Sequence, residues 1–346
     1  MRILAIETSC DETAAAVLRV ERDGRSDLPP VEVLSDVVAS QVGDHSPYGG
    51  VVPELASRKH VTAIVPVVRG ALADASIEAG AVEAVAVTTG PGLIGSLLVG
   101  VQVAKAIADA AGAPIVGVHH LAGHLLSACL GRSGAARPEF PFVALIASGG
   151  HTALYRVDGP ERRERLGTTR DDAAGEAFDK VGKQLGLPYP GGPAIDRVSR
   201  GVDPGDIRFP RGLDRKSTLD FSFSGLKTAV AEHLAARRSV PTDDEIARIA
   251  AAFQRSVVST LVRKSIAACE HTGIRRLALG GGVAANGALR EALRAVCGRE
   301  GIELHLPDPR DCTDNAAMIG LAAVPRLLRG ESDGTAVGTR ASWDLP

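Results

Sequence analysis

The feature that most constrains the fold is an order of segments that occurs twice along the chain. An apolar segment at residues 2–9 ends in a polar turn, and a second apolar segment, 142–147, ends in the turn SGGHT. In each half, further strand-like segments follow, and then come a helical segment, a strand and another helix. This repetition predicts a duplicated, two-lobed α/β fold with a central cleft, in which a nucleotide sits beside the turns that end the strands.

Apolar runs and turn residues predict the individual elements. The predicted strands are 2–9, 14–20, 31–40, 82–89, 115–119, 142–147, 152–157, 276–279 and 303–306. The predicted helices are 53–75, 95–111, 120–130, 173–185, 242–270, 286–297 and 314–328. Residues 188–225 are rich in Gly, Pro and charge, and we predict that they are irregular.

The chain length favours two domains, because 346 residues exceed what one ordinary core accommodates. Residues 131–141, GRSGAARPEFP, have the Gly, Pro and charge content that is typical of an interdomain connection. We therefore predict an N-terminal lobe of residues 1–130 and a C-terminal lobe of residues 141–346.

Composition and charge bear on location and on partners. The formal net charge of −2 does not indicate nucleic-acid binding, so a polyanion would need a local basic patch or a partner protein. The five cysteines are scattered without a CxxC pair, which indicates a reducing compartment. The apolar start is short and broken by Glu7, and we find no apolar stretch of about 18 residues. We expect a cytoplasmic protein without a signal peptide or a membrane span.

Three polar turns follow apolar strands, at residues 8–13, 148–152 and 280–286. Glycine lets the backbone approach a phosphate closely, and bare N–H groups and hydroxyls then coordinate it. One such turn is usually structural, but three together favour a nucleotide-binding protein. The chain lacks GxxxxGK[ST], so a Walker-type loop is absent, and no GxGxxG follows the first strand.

The strongest local chemistry lies in the segment HHLAGH. His120 and His124 are four residues apart, so a helix places both imidazoles on one face. Leu121 stands where an HExxH protease has its glutamate, which argues against that class. Asp314, in a polar turn before an apolar helix, is the candidate third ligand, although an aspartate there is more often a helix cap. Two histidines and a carboxylate suit Fe(II) or Zn(II).

An acidic segment precedes the predicted helix 173–185. Asp171 and Asp172 at the helix start are explained by the helix dipole. Asp179 lies inside the helix, where the dipole does not explain it, and we expect it to bind a ribose or substrate hydroxyl. Gly192, in the segment that follows, would let the backbone pack against a nucleoside.

Nine motifs together carry a resemblance to a known family. They are ETSCDET, YGGVVPELASRKH, GPGLIGSLLVG, HHLAGH, SGGHT, DDAAGEAFDKVGKQLGLPYPGGPAID, FSFSGLKTAV, GGVAANGALR and CTDNAAMIG. In this order they closely resemble the universal tRNA N6-adenosine threonylcarbamoyltransferases, over roughly residues 2–322. Those enzymes belong to the actin/Hsp70/sugar-kinase ATPase superfamily, so the resemblance implies an actin-like ATPase fold (ASKHA).

The resemblance also implies an activity and a site. The expected reaction moves a threonylcarbamoyl group from threonylcarbamoyl-AMP to N6 of adenosine 37, in tRNAs that read ANN codons, and releases AMP. The expected cofactor is one Fe2+ per subunit on His120, His124 and Asp314, with Zn2+ or Mg2+ as substitutes. The implied substrate contacts are Ile146, Ala147, Ser148, Gly149, Gly150, Asp179, Gly192, Asp196 and Asn286. Asp11 and Glu12, in the first turn, are our candidates for the catalytic base.

Bacterial members of the family work with a dimerisation paralogue and a small P-loop ATPase, and a separate synthase makes the adenylate. The helices that begin near Pro53 and Gly95 are candidates for the dimer face, although burial in the core is the simpler explanation. Basic residues that would help to hold tRNA, or that are ordinary surface charges, are Arg208, Arg211, Arg215, Lys216, Arg237 and Arg238.

Three other functions remain open on the sequence alone. A small-molecule kinase of the same superfamily is the nearest alternative, but it gives the segment HHLAGH no role. A secreted glycoprotein protease is opposed by the missing HExxH and by the missing signal peptide. A non-catalytic actin-like scaffold would have no need for metal ligands.

Overall fold

The computed structural model describes residues 1–21, 28–134, 136–213, 218–237 and 239–345. The chain divides into two compact units. Unit 1 consists of Met1–Arg137, Gly159–Arg162 and Thr313–Pro346, and unit 2 consists of Pro138–Asp158 and Arg163–Cys312. The division after Arg137 falls inside the segment 131–141. The end of the chain, however, belongs to unit 1 and not to the C-terminal lobe that was predicted from the sequence.

In each unit three strands come first along the chain, and helices then separate the later strands. The strands are β1 Arg2–Glu7, β2 Glu12–Val20, β3 Val31–Ser40, β4 Ala84–Gly90, β5 Ile115–His119, β6 Phe142–Ala147, β7 Thr152–Val157, β8 Arg163–Thr168, β9 Arg276–Gly280 and β10 Glu303–His305. The α-helices are α1 Val42–His45, α2 Pro53–Asp74, α3 Ile94–Ala111, α4 His120–Leu126, α5 Ala174–Gln184, α6 Gly191–Ser199, α7 Ser224–Ala235, α8 Asp243–Thr272, α9 Gly287–Glu300, α10 Pro309–Cys312 and α11 Ala316–Leu328.

Each unit contains one mixed sheet, and the two sheets have the same topology. The strand order is β3-β2-β1-β4-β5 in unit 1 and β8-β7-β6-β9-β10 in unit 2. In both, the first three strands of the order are antiparallel and the last three are parallel. The predicted duplication is therefore confirmed at the level of the α/β fold.

Helices cover both faces of the sheet in unit 1. Alternate residues of a strand point to opposite faces. Leu4 and Ile6 of β1 pack into a core with residues of α2 and α3. Ala5 lies under α11, close to Gly320. The helix α11 is buried along most of its length because it packs on β1 and β2, and this packing returns the end of the chain to unit 1.

Five strands or helices of the described residues were not predicted, namely β8, α1, α6, α7 and α10, and one predicted helix was too long. β8 is an edge strand with mostly exposed charged residues, so its sequence RERLGT has no apolar pattern. Helices α6 and the start of α7 lie inside the segment predicted to be irregular, and that prediction is wrong. Helix α6 begins with two glycines, and its sequence is therefore typical of a turn. The predicted helix 120–130 ends at Leu126 and continues as a 3-10 turn, Ser127–Leu130.

Helix α3 is the one helix in the described part of the chain that is long and apolar enough to cross a membrane by length and composition. No such segment was expected from the sequence. Core helices of globular proteins pass the same test, and α3 packs against β4 and α2 within unit 1. In this helix 33% is buried, and Ile94 and Leu98 are exposed apolar residues.

Candidate active site

Helix α4 carries both candidate histidine ligands, and the residue before it fixes where the helix begins. The Nδ1 atom of His119 accepts a hydrogen bond from the backbone N–H of Leu121, at 3.1 Å. Its Nε2 atom lies 3.0 Å from the carbonyl oxygen of Trp343. Since a neutral imidazole carries one proton, these two bonds require the tautomer that is protonated on Nε2. His119 thus caps α4 and ties it to the C-terminal segment.

The side chain of Trp343 reinforces this contact, and its removal should loosen it. The ring centroids of Trp343 and His119 are 4.6 Å apart, and the guanidinium carbon of Arg340 lies 4.7 Å from the centroid of the Trp343 ring. We expect Trp343→Ala to lower the free energy of unfolding by about 1–2 kcal/mol. Trp343→Phe, which keeps an aromatic ring, should cost less than half of that. Equal stability of Trp343→Ala and the parent chain in denaturant unfolding would show that the contact is not stabilising.

The three candidate ligands come together in unit 1. The rings of His120 and His124 meet edge to face with centroids 4.7 Å apart. Asp314 Oδ1 lies 3.1 Å from Nε2 of His124 and 3.4 Å from Nε2 of His120. One ligand atom from each residue lies within 4.8 Å of the others. Both histidines are buried and Asp314 is partly exposed, so the cluster is open on the side of the carboxylate.

Asp314 is not the cap of the helix that follows it. Asn315 is the cap, because its Oδ1 accepts a hydrogen bond from the backbone N–H of Met318 at 2.9 Å. The alternative interpretation of Asp314 as a helix cap is therefore wrong, and its carboxylate remains directed at the histidines. Because Gly123 has no side chain, α4 can lie close to α11: a Cβ at Gly123 would be 2.9 Å from Met318 Cγ.

The electrostatics of the cluster suit a cation. Burial alone would lower the pKa of His120, but Asp314 and Glu7 raise it well above its ordinary value. Burial alone would raise the pKa of Asp314, but His120 and His124 lower it well below its ordinary value. Two imidazole nitrogens and a carboxylate oxygen form a donor set that Fe(II) and Zn(II) both use. The residues present therefore fit a divalent transition metal.

The first polar turn lies beside this cluster. Burial, followed by the charges of Asp314 and Asp11, raises the pKa of Glu12 to about 10. Burial and the charge of Asp11 also raise the pKa of the Cys10 thiol. Glu12 therefore holds its proton at neutral pH in this arrangement. Of the two predicted base candidates, Glu12 interacts electrostatically with Asp314, and Asp11 interacts with Glu12.

In unit 2 the second and third polar turns are neighbours. They follow β6 and β9, which are adjacent parallel strands with Ile146 opposite Gly280. Gly281 has φ +88°, and a Cβ there would lie 2.4 Å from the carbonyl oxygen of Ala147. Gly149 and Gly150 are exposed, and a Cβ on either would meet nothing within 4 Å. The close contact between Gly281 and Ala147 thus lies beside an open backbone turn at Gly149 and Gly150.

The side chains of the predicted contacts in β6 do not reach this open turn. Ile146 and Ala147 are buried in the sheet, so only their backbone is available to a ligand. Ser148 closes the turn, because its N–H donates to the carbonyl of His151 at 2.8 Å and its Oγ accepts from the N–H of His151 at 3.2 Å.

Asp179 organises the segment that contains Gly192. Its Oδ1 accepts a hydrogen bond from the backbone N–H of Gly191 at 2.7 Å. The start of α6 packs closely on α5 at Gly191, where a Cβ would lie 2.4 Å from the carbonyl oxygen of Phe178. At Gly192 a Cβ would meet only Phe178 Cβ, at 3.9 Å, so this position keeps a free side.

Asn286 has a structural role that the sequence did not indicate. Its Oδ1 caps α9 by accepting from Leu289 N–H at 2.9 Å, and its Nδ2 donates to Gln254 Oε1 at 2.8 Å. Gln254 in turn donates to Ser199 Oγ at 3.1 Å. Asp196 lies beside this cap, because a Cβ on Gly287 would be 3.3 Å from its Oδ2. The predicted contacts Asp196 and Asn286 are thus brought together.

Other charged residues singled out in the sequence have structural partners. Asp171 caps α7 by accepting hydrogen bonds from Phe223 N–H at 2.8 Å and Ser224 N–H at 3.2 Å. Asp172 pairs with Lys180 and Lys227. Three of the predicted basic residues have partners within the protein: Arg208 donates to backbone carbonyls, Arg211 donates to Ser259 Oγ, and Arg237 pairs with Glu245. The other three, Arg215, Lys216 and Arg238, lie outside the described residues.

Comparisons with known proteins assign the family. A sequence model of the TsaD family, described as tRNA N6-adenosine threonylcarbamoyltransferase, matches residues 32–321. Proteins of that name from Sorangium cellulosum and Geobacter metallireducens are 52% and 53% identical to this chain. Both comparisons cover 100% of this chain and 97% of the relative. The chain belongs to the tRNA N6-adenosine threonylcarbamoyltransferase family. As a member of this family it is a transferase that acts in tRNA modification, which displaces the kinase, protease and scaffold alternatives.

Solved structures show the same fold at low sequence identity. The HypF protein of T. kodakarensis superposes with a TM-score of 0.62 at 13% identity, over 97% of this chain and 49% of HypF. The activator of the 2-hydroxyisocaproyl-CoA dehydratase from Clostridium difficile, solved with ADPNP, gives 0.51 at 12% identity, over 95% of this chain and 97% of the activator. These likenesses confirm the predicted actin-like ATPase fold class.

Proposed function

We propose that the chain transfers the threonylcarbamoyl group from threonylcarbamoyl-AMP to N6 of adenosine 37 in tRNAs that read ANN codons, and releases AMP. Family membership supports the tRNA-modifying activity. The observation that carries the site assignment is the convergence of His120, His124 and Asp314 beside an acidic turn. In the reaction the N–C bond forms, the C–O bond to the phosphate breaks, and AMP leaves with the electron pair.

The proposed cofactor is one Fe2+ per subunit, held by His120, His124 and Asp314, with Zn2+ or Mg2+ as substitutes. A divalent metal in such a site acts as a Lewis acid toward a carbonyl or phosphoryl oxygen. The protein contributes the partly exposed carboxylate of Asp314 on the open side and the buried imidazoles behind it. This placement leaves one side of the cluster for a substrate oxygen.

The proposed adenylate contacts lie in unit 2. Gly149 and Gly150 are the exposed residues of this turn, and their backbone is the proposed contact with the phosphate, whereas the N–H of Ser148 already donates to His151 and holds the turn in shape. The carboxylates of Asp179 and Asp196 are acceptors for ribose hydroxyls, and Gly192 has a free side for the nucleoside. Asn286 already caps α9, so we assign it mainly to holding this surface in shape.

The attacking amine must lose a proton, and Asp11 and Glu12 are the proposed acceptors. The exocyclic amine of adenosine is a weak nucleophile, so orientation contributes much of the rate. Glu12, with a pKa of about 10, accepts a proton only when positive charge offsets the carboxylates of Asp11 and Asp314. The target base leaves its stack at lower cost in an anticodon loop than in a duplex.

The proposed partners are tRNA, a dimerisation paralogue and a small P-loop ATPase, and the proposed location is the cytoplasm. All five cysteines are free thiols, in agreement with a reducing compartment. An apolar surface on unit 1 supports a protein partner. Val61 and Val65 of α2 are 62% and 48% exposed, and Ile94 and Leu98 of α3 are 46% and 44% exposed. The two helices pack together, so these side chains form a candidate dimer face.

A charge on this dimer face should weaken the association with the paralogue. We expect Val61→Glu to raise the dissociation constant at least about tenfold, or 1.4 kcal/mol, because a buried carboxylate would have no partner there. Val240→Glu is the matched control, since Val240 is 89% exposed and lies in unit 2. Light scattering and titration with the purified paralogue measure the effect. Unchanged affinity with folded Val61→Glu would place the interface elsewhere, and loss of self-association instead would indicate a homodimer.

The proposed activity is tested by reconstitution. The purified chain is incubated with its synthase and partner proteins, unmodified tRNA, threonine, bicarbonate and ATP, and the digested tRNA is analysed by mass spectrometry. We expect threonylcarbamoyladenosine at position 37 only when this chain is present. Its absence, with a synthase that demonstrably makes the adenylate, would contradict the proposal and direct attention to ATP-dependent phosphorylation of small molecules.

A further inference from the structure

A carboxylate that the proposed activity does not use lies directly behind the candidate metal ligands. Glu7 is the last residue of β1, and its side chain is 1% exposed. Its Oε2 accepts a hydrogen bond from Thr88 Oγ1 at 2.6 Å and lies 3.0 Å from His120 Nδ1. Its Oε1 accepts from the backbone N–H of Ser9. The carboxylate is thus held on three sides, and one of them is a ligand histidine.

We propose that Glu7 is a positioning residue that orients His120 for metal binding. A carboxylate accepts hydrogen bonds and has none to donate, so His120 must be protonated on Nδ1. The lone pair of a neutral His120 is then on Nε2, the atom that lies 3.4 Å from Asp314 Oδ1. Ligand histidines commonly donate their other N–H to a carboxylate, which fixes both the ring orientation and the tautomer.

The two histidines differ in this respect. Within the described residues, Nδ1 of His124 is buried without a hydrogen-bond partner. His120 is therefore the ligand whose orientation depends on a specific polar contact, whereas the orientation of His124 comes from its place in α4. Ser9 Oγ also lies 3.2 Å from His120 Nδ1 and is the competing partner. Glu7 is the stronger of the two, because charge-assisted hydrogen bonds are roughly twice as strong as neutral ones.

The position of Glu7 depends on the register of the sheet. β1 and β4 are parallel neighbours with Ile6 opposite Val87, so Glu7 and Thr88 follow side by side. Three N–H or O–H groups point at the carboxylate, and a glutamine has an amide NH2 in place of one oxygen. In Glu7→Gln that NH2 faces either the N–H of Ser9 or Nδ1 of His120. The first arrangement sets two donors against each other, and the second favours the tautomer that cannot bind metal through Nε2.

This inference rests on the proposed metal site, and metal binding to the full-length metal-free chain tests it without activity. Zn2+ and Co2+ affinities are measured by competition with a chelator, and the absorption bands of bound Co2+ report the ligand geometry. We expect Glu7→Gln to weaken binding about 10- to 100-fold and to shift the Co2+ bands. Asp36→Asn, which removes another buried carboxylate of unit 1 that pairs with Arg132, should bind metal like the parent chain.

Two further variants make the result decisive. Thr88→Val keeps the carboxylate but removes one of its supports, so we expect a smaller loss of affinity and a band shift in the same direction, even if Glu7→Gln does not fold. Ser9→Ala should change affinity less than Glu7→Gln does. Parent-like affinity and spectrum in Glu7→Gln, or a larger effect of Ser9→Ala, would overturn the role of Glu7 and leave the metal site intact. If the parent chain binds neither ion, the metal site itself is wrong and this inference fails with it.

Discussion

Replacing His120 by alanine is expected to lower threonylcarbamoyl transfer at least about 1000-fold, which corresponds to about 4 kcal/mol of transition-state stabilisation. The substitution removes one of the two imidazoles that face Asp314, and the two remaining ligands cannot hold a metal tightly. It also leaves Glu7 without its imidazole partner. The measurement is the yield of threonylcarbamoyladenosine in the reconstituted reaction, together with the metal content of the variant.

The matched control is another buried histidine of the same unit. His45 is fully buried and hydrogen-bonds to Gln41 and to the N–H of Val52, neither of which is a candidate ligand. His45→Ala should lower stability through lost packing but keep its metal and most of its activity. Full activity of metal-free His120→Ala would exclude a role of the metal in the reaction. Equal loss of activity in both variants would indicate that folding, and not ligation, is being measured.

Replacing Gly281 by alanine should have the largest effect in unit 2. At φ +88° a side chain is strained, and the added Cβ would lie 2.4 Å from the carbonyl oxygen of Ala147. We expect the free energy of unfolding to fall by about 2–4 kcal/mol. The turn after β9 must move to relieve the contact, so the affinity for AMP should fall as well. Denaturant unfolding and calorimetric titration with AMP measure the two effects.

The adjacent glycine provides the control for this substitution. Gly282 is exposed, has no positive φ, and a Cβ there would meet nothing within 4 Å. Gly282→Ala should change stability by less than about 0.5 kcal/mol, as surface substitutions usually do. If AMP affinity falls in Gly282→Ala at unchanged stability, the ligand itself approaches this backbone. If Gly281→Ala is as stable as the parent chain, the close packing of the two turns is not a requirement of the fold.

The buried strands and the longer helices could be predicted from the sequence. β3, β5, β6 and β7 have the predicted bounds, and most of the predicted helices agree within a few residues. Apolar runs and turn residues are local signals, so they identify elements whose side chains enter the core. β8 escaped because an edge strand buries little, and α6 escaped because its first residues, Gly191 and Gly192, are typical of a turn. In both cases contacts that form only in the folded protein determine the structure, and the local sequence pattern does not indicate it.

The candidate ligands His120 and His124 could be named from the sequence, because a four-residue spacing on a helix is a local property. Asp314 could be named as a candidate from its polar turn before an apolar helix. It could not be predicted that the Asp314 carboxylate faces the histidines and does not cap α11, since this depends on Asn315 acting as the cap. The contact of Glu7 with His120 could not be predicted either. It joins residues 113 positions apart through the order of the strands.

The sequence by itself determined the duplicated order of elements, the family and the residue types available for chemistry, because these are written in local patterns and in motifs. The tertiary structure decided which unit the last helix joins, which asparagine caps which helix, and which carboxylate supports which histidine. These outcomes depend on side chains that meet only after the sheets have formed. They follow from the packing of α11 on β1 and β2 and from the register of β1 beside β4, neither of which a local pattern specifies.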